Sequence, residues 1–269
     1  MGRIWEIGRG GKLCPPYYFN INAYTIYYIV DMKNAKDFIA LALDNVDDID
    51  ALKALIHKTS ESVGVYKLGL EQFTRFGPKA LDLVRDVGRK IFLDLKFHDI
   101  PNTVANAVRA ACGLDVDYLT IHTQGGVEMM RAAAEAASGA ARRPKILGVT
   151  LLTSIGQEAL NCELAVQMKT DLYVQHLAQK AVSAGIDGLV CSAADLEAVK
   201  PSLPPKDFEV VTPGIRPAGS DVNDQKRVAT PEWAIKNGAT LLVIGRPITG
   251  ATDPGRAAEE IVENIKDIC

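Results

Sequence analysis

At 269 residues the chain exceeds the usual single domain, yet it lies within the range of an α/β barrel built as one unit. Hydrophobic residues at 48% and charged residues at 23% are ordinary globular proportions, which argues against a disordered or fibrous chain. The net charge of -3, with no basic stripe and no aromatic-basic interleaving, gives no electrostatic case for nucleic acid. The five cysteines (Cys14, Cys112, Cys162, Cys191 and Cys269) are odd in number and scattered, without a C-x-x-C. They fit the reduced thiols of a cytoplasmic protein rather than a disulfide frame or a zinc site.

Residues 1–36 differ from everything after them. They hold five of the eight tyrosines and one of the two tryptophans, and show neither helical nor strand periodicity. The apolar stretch Asn20 to Val30 is too short to cross a bilayer, and no small-residue cleavage site follows a proper apolar core. Residues 1–36 are therefore read as an atypical N-terminal extension ahead of a single domain over 37–269. Residues 1–31 are expected to be poorly packed and dispensable, with Met32 the natural start.

From Asp37 onward apolar strands alternate with helical patterns about every 25 to 30 residues, the rhythm of βα units. The first strand is Phe38 to Asp44, with a helix over Val46 to Ser60. The second is Val63 to Gly69, with a helix over Leu70 to Val87. The third is the run Phe92 to Leu95, stopped by Pro101-Asn102, with a helix over Thr103 to Cys112. Strands follow at Tyr118 to His122 and Lys145 to Leu152, with helices over Val127 to Ala137 and Leu164 to Ala184. The last three strands are Gly188 to Cys191, Glu209 to Thr212 and Leu241 to Gly245, with helices near Ala194 to Lys200, Pro231 to Asn237 and Pro254 to Ile268.

Eight near-continuous apolar strands alternating with helices predict a closed parallel (β/α)8 TIM barrel; an open doubly wound sheet usually has fewer strands. Asp44, Lys67, Asp94, Lys96, His122, Thr153, Arg216 and Arg246 all fall at or just after a strand's C-terminal end. In a barrel that end is the face where functional groups converge. Asp94 and Lys96, two apart on a strand, point to the same side. Buried ionisable groups are costly unless paired, so Asp94, Lys96 and nearby Asp99 call for partners. An isolated D-x-K reads first as a plain ion pair at a strand end, but Lys67 at the end of the preceding strand reverses that in favour of a functional array.

The turn Ile244-Gly245-Arg246-Pro247-Ile248 has the composition of an anion site, with close backbone approach at Gly245, free N–H groups beyond it, and a guanidinium at Arg246. Arg216 and Gln225 lie on a long loop bearing Gly, Pro and Asp after the seventh strand, which is the composition of a lid. Each alone also fits ordinary solvated polarity. His98 and His122 read as structural or hydrogen-bonding groups and His57 and His176 as surface groups. Cys191 reads as core, and no histidine-carboxylate spacing suggests a metal site.

The stretch Phe92-Leu-Asp94-Leu-Lys96-Phe-His-Asp99-Ile-Pro-Asn-Thr103 resembles the signature of the orotidine 5'-phosphate decarboxylase family in its bacterial form. The resemblance extends through Ala40 to Asp44, Tyr66 to Gly69, Leu152-Thr153-Ser154, Pro213 to Pro217 and Gly245-Arg246-Pro247, from about Lys36 to the C-terminus. It implies a cytoplasmic homodimeric barrel that converts orotidine 5'-phosphate to UMP, the last step of de novo pyrimidine nucleotide synthesis, with neither metal nor organic cofactor. By the same resemblance Lys96 donates the proton to C6, and Asp94 stands near the departing carboxylate. Lys67 bridges Asp94 and the ribose, while Asp44 holds a ribose hydroxyl. Asp99 and Thr103 reach the neighbouring subunit's site. Thr153 contacts the pyrimidine, and Arg216, Gln225, Gly245 and Arg246 bind phosphate or close over it.

Two other readings stand beside this one. A magnesium-dependent keto-gulonate-phosphate decarboxylase also carries D-x-K-x-x-D, though without the Ile100-Pro-Asn-Thr103 continuation. A nucleotide-binding protein without turnover would not need all four charged positions intact.

Overall fold

Each of the eight apolar runs becomes a strand in a computed structural model that describes residues 34–205, 207–217 and 229–268. The strands are β1 (Ile39–Ala42), β2 (Val65–Gly69), β3 (Lys90–Phe97), β4 (Tyr118–His122), β5 (Lys145–Val149), β6 (Gly188–Val190), β7 (Glu209–Pro213) and β8 (Leu241–Ile244). Every strand pairs in parallel with its sequence neighbours, and β8 pairs with β1 through Ala40 opposite Val243, so the sheet closes. The eight-stranded barrel expected from the alternation of elements is what forms. The expectation for residues 1–31 lies outside the described residues.

Helices alternate with the strands. They are α1 (Ile49–Thr59), α2 (Leu70–Phe76), α3 (Lys79–Asp86), α4 (Pro101–Cys112), α5 (Gly126–Ser138), α6 (Gln157–Cys162), α7 (Thr170–Ala184), α8 (Leu196–Val199), α9 (Pro231–Lys236), α10 (Arg246–Thr249) and α11 (Pro254–Ile265). Their starts are written in the sequence. The carboxylates of Asp48 and Asp253 and the hydroxyl of Thr230 accept the N–H three residues on, and Pro101, Pro231 and Pro254 open α4, α9 and α11.

Two helices differ from the expectation: one is divided and one starts late. The helix predicted over Leu70 to Val87 breaks at Gly77-Pro78, where Gly77 takes φ +58° and its N–H closes the turn on Phe73 O at 2.9 Å. The helix predicted from Leu164 starts only at Thr170. The Gln157 side chain of α6 accepts both the Thr170 N–H (2.9 Å) and its hydroxyl (3.0 Å), fixing that later start.

Strand alternation sorts the side chains into two cores. Ile39, Leu41, Leu68, Ile91, Leu93, Leu119, Ile146 and Leu242 face outward against the helices in the larger cluster. Ala40, Ala42, Val65, Phe92, Tyr118, Leu147, Val211, Leu241 and Val243 fill the barrel. Burying each large side chain contributes about 1.5–3 kcal/mol. The same alternation decides which residues reach the barrel mouth.

Candidate active site

The inward rows change character toward the C-terminal ends of the strands. Two residues beyond Ala42 comes Asp44, beyond Val65 comes Lys67, beyond Phe92 comes Asp94, and beyond Tyr118 comes Thr120. Four neighbouring strand ends thus set an acid, a base, an acid and a hydroxyl side by side above an apolar plug.

Lys67 Nζ lies 3.3 Å from Asp44 Oδ1 and 3.5 Å from Asp94 Oδ2. Lys96 Nζ donates to the same Asp94 Oδ2 at 2.8 Å. Lys67 and Asp94 are 8% and 6% exposed. A carboxylate buried this far and stripped of its cations would cost roughly 3–5 kcal/mol, so the two ammonium groups are structural necessities for Asp94. Burial pushes the Asp94 carboxyl upward, but Lys67, Lys96 and the hydrogen bonds from Lys96 and Thr120 outweigh it and hold it below the usual carboxylate range. The array also needs space: a Cβ at Gly69 would come within 3.2 Å of both Asp44 Oδ1 and Lys67 Nζ.

Lys96 owes its position to an irregularity in β3. Leu93 pairs with Leu119 and Phe97 with Ile121, so four steps along β3 span only two along β4. Lys96 sits in this arch at φ +50°, a left-handed conformation uncommon for a residue with a side chain. The bulged strand re-aims the lysine toward the cavity.

The array lines a cavity of about 540 Å³, which also receives Thr153, Arg216, Gly245 and Arg246 from the loops after β5, β7 and β8. Arg216 is 6% exposed, and its Nε is buried with no hydrogen-bond partner among the described residues. A buried guanidinium with an open donor is suited to a bound anion. Arg246 opens α10 directly after β8. The cavity therefore joins a lysine-carboxylate array to two guanidinium groups, as a charged ligand with a phosphate at one end requires. Its volume falls in the usual range for small-molecule sites.

Comparison with known proteins agrees with this geometry. The family model described as "Orotidine 5'-phosphate decarboxylase / HUMPS family" matches residues 37–261, a span that holds every site residue named above. The chain belongs to that family. The orotidine 5'-phosphate decarboxylase of Moorella thermoacetica is 46% identical over 249 residues, covering 90% of this chain and 98% of that one. Its counterpart in Nostoc is 43% identical over 239 residues, covering 87% and 99%. The crystal structure of orotidine 5'-phosphate decarboxylase from Lactobacillus acidophilus superposes with a TM-score of 0.72 at 35% identity, covering 84% of this chain and 97% of that one.

Within this family framework the remaining site candidates divide three ways. Asp99 and Thr103 are exposed and lie outside the cavity; Asp99 Oδ1 accepts the neighbouring Ile100 N–H at 2.6 Å. Gln225 lies outside the described residues. His122 stands beside the array without lining the cavity, its ring centroid 5.4 Å from that of His98. Burial, reinforced by His98 and Lys96, holds the His122 imidazole below its usual value, so it is neutral at physiological pH.

Cys191 lines the cavity, but complete burial pushes its thiol far above the ordinary value, which suits core packing and not nucleophilic attack. Ser192 and Thr120 are among the polar residues of the mouth that were not singled out from the sequence. Ser192, which lines the cavity, donates to the buried Asp195 at 2.6 Å. Thr120 bonds to both Lys96 and Asp94. Its signal was available: it is the polar member of an inward row whose apolar member, Tyr118, packs on Phe92 in the barrel interior.

Proposed function

We propose that the chain decarboxylates orotidine 5'-phosphate to UMP, with Lys96 stabilising and then protonating the carbanion left at C6. The observation that carries this reading is the ammonium pair of Lys67 and Lys96 on one buried Asp94 oxygen, in a cavity that also holds Arg216 and Arg246. Loss of CO2 leaves an electron pair in the ring plane with no adjacent π system to accept it. Stabilisation must come from a fixed positive charge already in place, in a site that excludes water. Lys96 is such a charge, anchored by Asp94 at 2.8 Å on an arch of strand rather than on a free loop.

The other residues follow from their places. Asp94 preorganises Lys96 and faces the carboxylate that departs. Lys67, tied to both Asp44 and Asp94, keeps the two acids at a fixed spacing, and the partly exposed Asp44 takes a ribose hydroxyl. Thr153 meets the base. Arg216, Arg246, Gly245 and, from the loop, Gln225 hold the phosphate. Binding energy collected there, remote from the breaking bond, can be used to close the site. The enzyme acts as a cytoplasmic homodimer in which Asp99 and Thr103 complete the neighbouring site. Asp99 is exposed beside Ile100, itself 67% exposed, which suits a surface covered by a second subunit. The free thiols of Cys112, Cys162 and Cys191 suit a reducing compartment.

The magnesium-dependent sugar-phosphate decarboxylase remains the useful contrast. A divalent ion bridging Asp44 and Asp94 would need the place between them, and the Lys67 ammonium stands there. The test is loss of orotidylate absorbance with UMP as product, measured with and without a chelator. Turnover that is unchanged by chelation is expected. Turnover that requires a divalent ion, or tight UMP binding with no loss of orotidylate, would overturn the reading.

A further inference from the structure

The β3 arch creates a problem that the sequence solves on the next strand. Where Leu93 to Phe97 runs out of step with β4, Lys96 has no register partner on that strand. A buried N–H without a partner costs about 1–3 kcal/mol, and an arch that fluctuated would carry the Lys96 ammonium with it. The Thr120 hydroxyl accepts that N–H at 2.9 Å and donates its own hydrogen to Asp94 Oδ1 at 2.9 Å. Thr120 is 0% exposed. One oxygen therefore ties the backbone of the lysine to the carboxylate that binds the same lysine's ammonium.

We infer that Thr120 is a positioning residue, setting the Lys96 backbone and the Asp94 carboxylate in one rigid frame so that the ammonium is aimed before substrate arrives. Two hydrogen bonds and an ion pair then fix the Asp94 carboxylate: Thr120 donates to Oδ1, Lys96 donates to Oδ2, and the Lys67 ammonium lies 3.5 Å from Oδ2. A methyl in place of the hydroxyl would preserve shape while deleting both bonds. Serine would keep both bonds while deleting the methyl. The inference deepens the decarboxylase reading and rests on it for its kinetic part, whereas its structural part does not need turnover.

The test compares Thr120→Val, Thr120→Ser and Thr120→Ala by steady-state kinetics with orotidine 5'-phosphate, by UMP affinity, and by hydrogen exchange at the Lys96 amide. Thr120→Val is expected to lower kcat about ten- to a hundredfold, the range that corresponds to one buried unpaired group, with KM and UMP affinity changed less than about threefold. The Lys96 amide should exchange faster in Thr120→Val and keep its protection in Thr120→Ser, which also restores kcat. Thr120→Ala carries the comparison if the valine variant does not fold. Wild-type kcat in the valine or alanine variant, an equal fall in the serine variant, or unchanged amide protection overturns the role. If the unmodified protein fails to decarboxylate orotidylate, the functional reading falls, and amide protection alone decides the place of Thr120.

Discussion

Replacing Lys96 separates backbone strain from charge. At φ +50° an L-residue costs about 1–2 kcal/mol relative to the right-handed regions, while glycine adopts that conformation freely. Lys96→Ala and Lys96→Gly both remove the ammonium and its 2.8 Å bond to Asp94, and both keep the backbone N–H that Thr120 accepts. What differs between them is the Cβ. At an ordinary strand position glycine is less stable than alanine by roughly 0.5–1 kcal/mol, because the unfolded chain gains freedom. Here relief of strain outweighs that loss, leaving glycine ahead by about 1 kcal/mol. For a chain of this size that is about 2–4 °C in Tm. Urea unfolding of the two variants, with equal slopes and shifted midpoints, is the assay. An alanine variant as stable as the glycine variant would refute the reasoning and mean that the arch does not hold residue 96 left-handed.

Three further outcomes are expected. Lys96→Ala should show no measurable orotidylate decarboxylation while its UMP affinity, set at the phosphate end, falls less than about tenfold; near wild-type turnover would remove Lys96 from the chemistry. The Asp94 carboxyl is held below its ordinary value of 3.8, so its ionised form contributes stability that is whole above that pH and lost as the pH falls through the lower folded value. The stability gap between wild type and Asp94→Asn, roughly 3 kcal/mol at neutral pH, should stay flat down to about pH 5 and shrink below pH 4. Urea titrations across that range give the check, and a gap that persists unchanged in strong acid would contradict it. Mixing Lys96→Ala and Asp99→Ala subunits, each inactive alone, should recover activity, because one of the two sites in the hybrid dimer has both groups. A mixture that stays inactive after subunit exchange argues against a shared site.

The barrel was legible because its signals are local and repeated. Each strand announces itself as a short apolar run, and the polar residues at the run ends, His122 apart, line the same cavity. The separation of α2 from α3 has a local signal in Gly77-Pro78, masked by an apolar pattern that continues across it. The arch of β3 was not legible. Asp94 and Lys96 do meet, as two-residue spacing suggests, but through a register shift and a left-handed residue that no pattern in Phe92 to Phe97 encodes. Thr120 is an ordinary strand former by type; its inward row marks its place, but its task appears only once β3 and β4 are paired. The places given to Asp99 and Thr103 depend on a second subunit, which a single chain cannot supply from its own residues.

The acid-base array draws on β1 through β4, while Thr153, Arg216 and Arg246 follow β5, β7 and β8. On the proposed roles, the gene encodes the reactive groups in one continuous half and the phosphate handle, Arg216 and Arg246, in the other. Mutations that retune which anion is grasped can accumulate in the second half without disturbing the first. A designer seeking a new leaving acid on the same handle would redraw the first half alone.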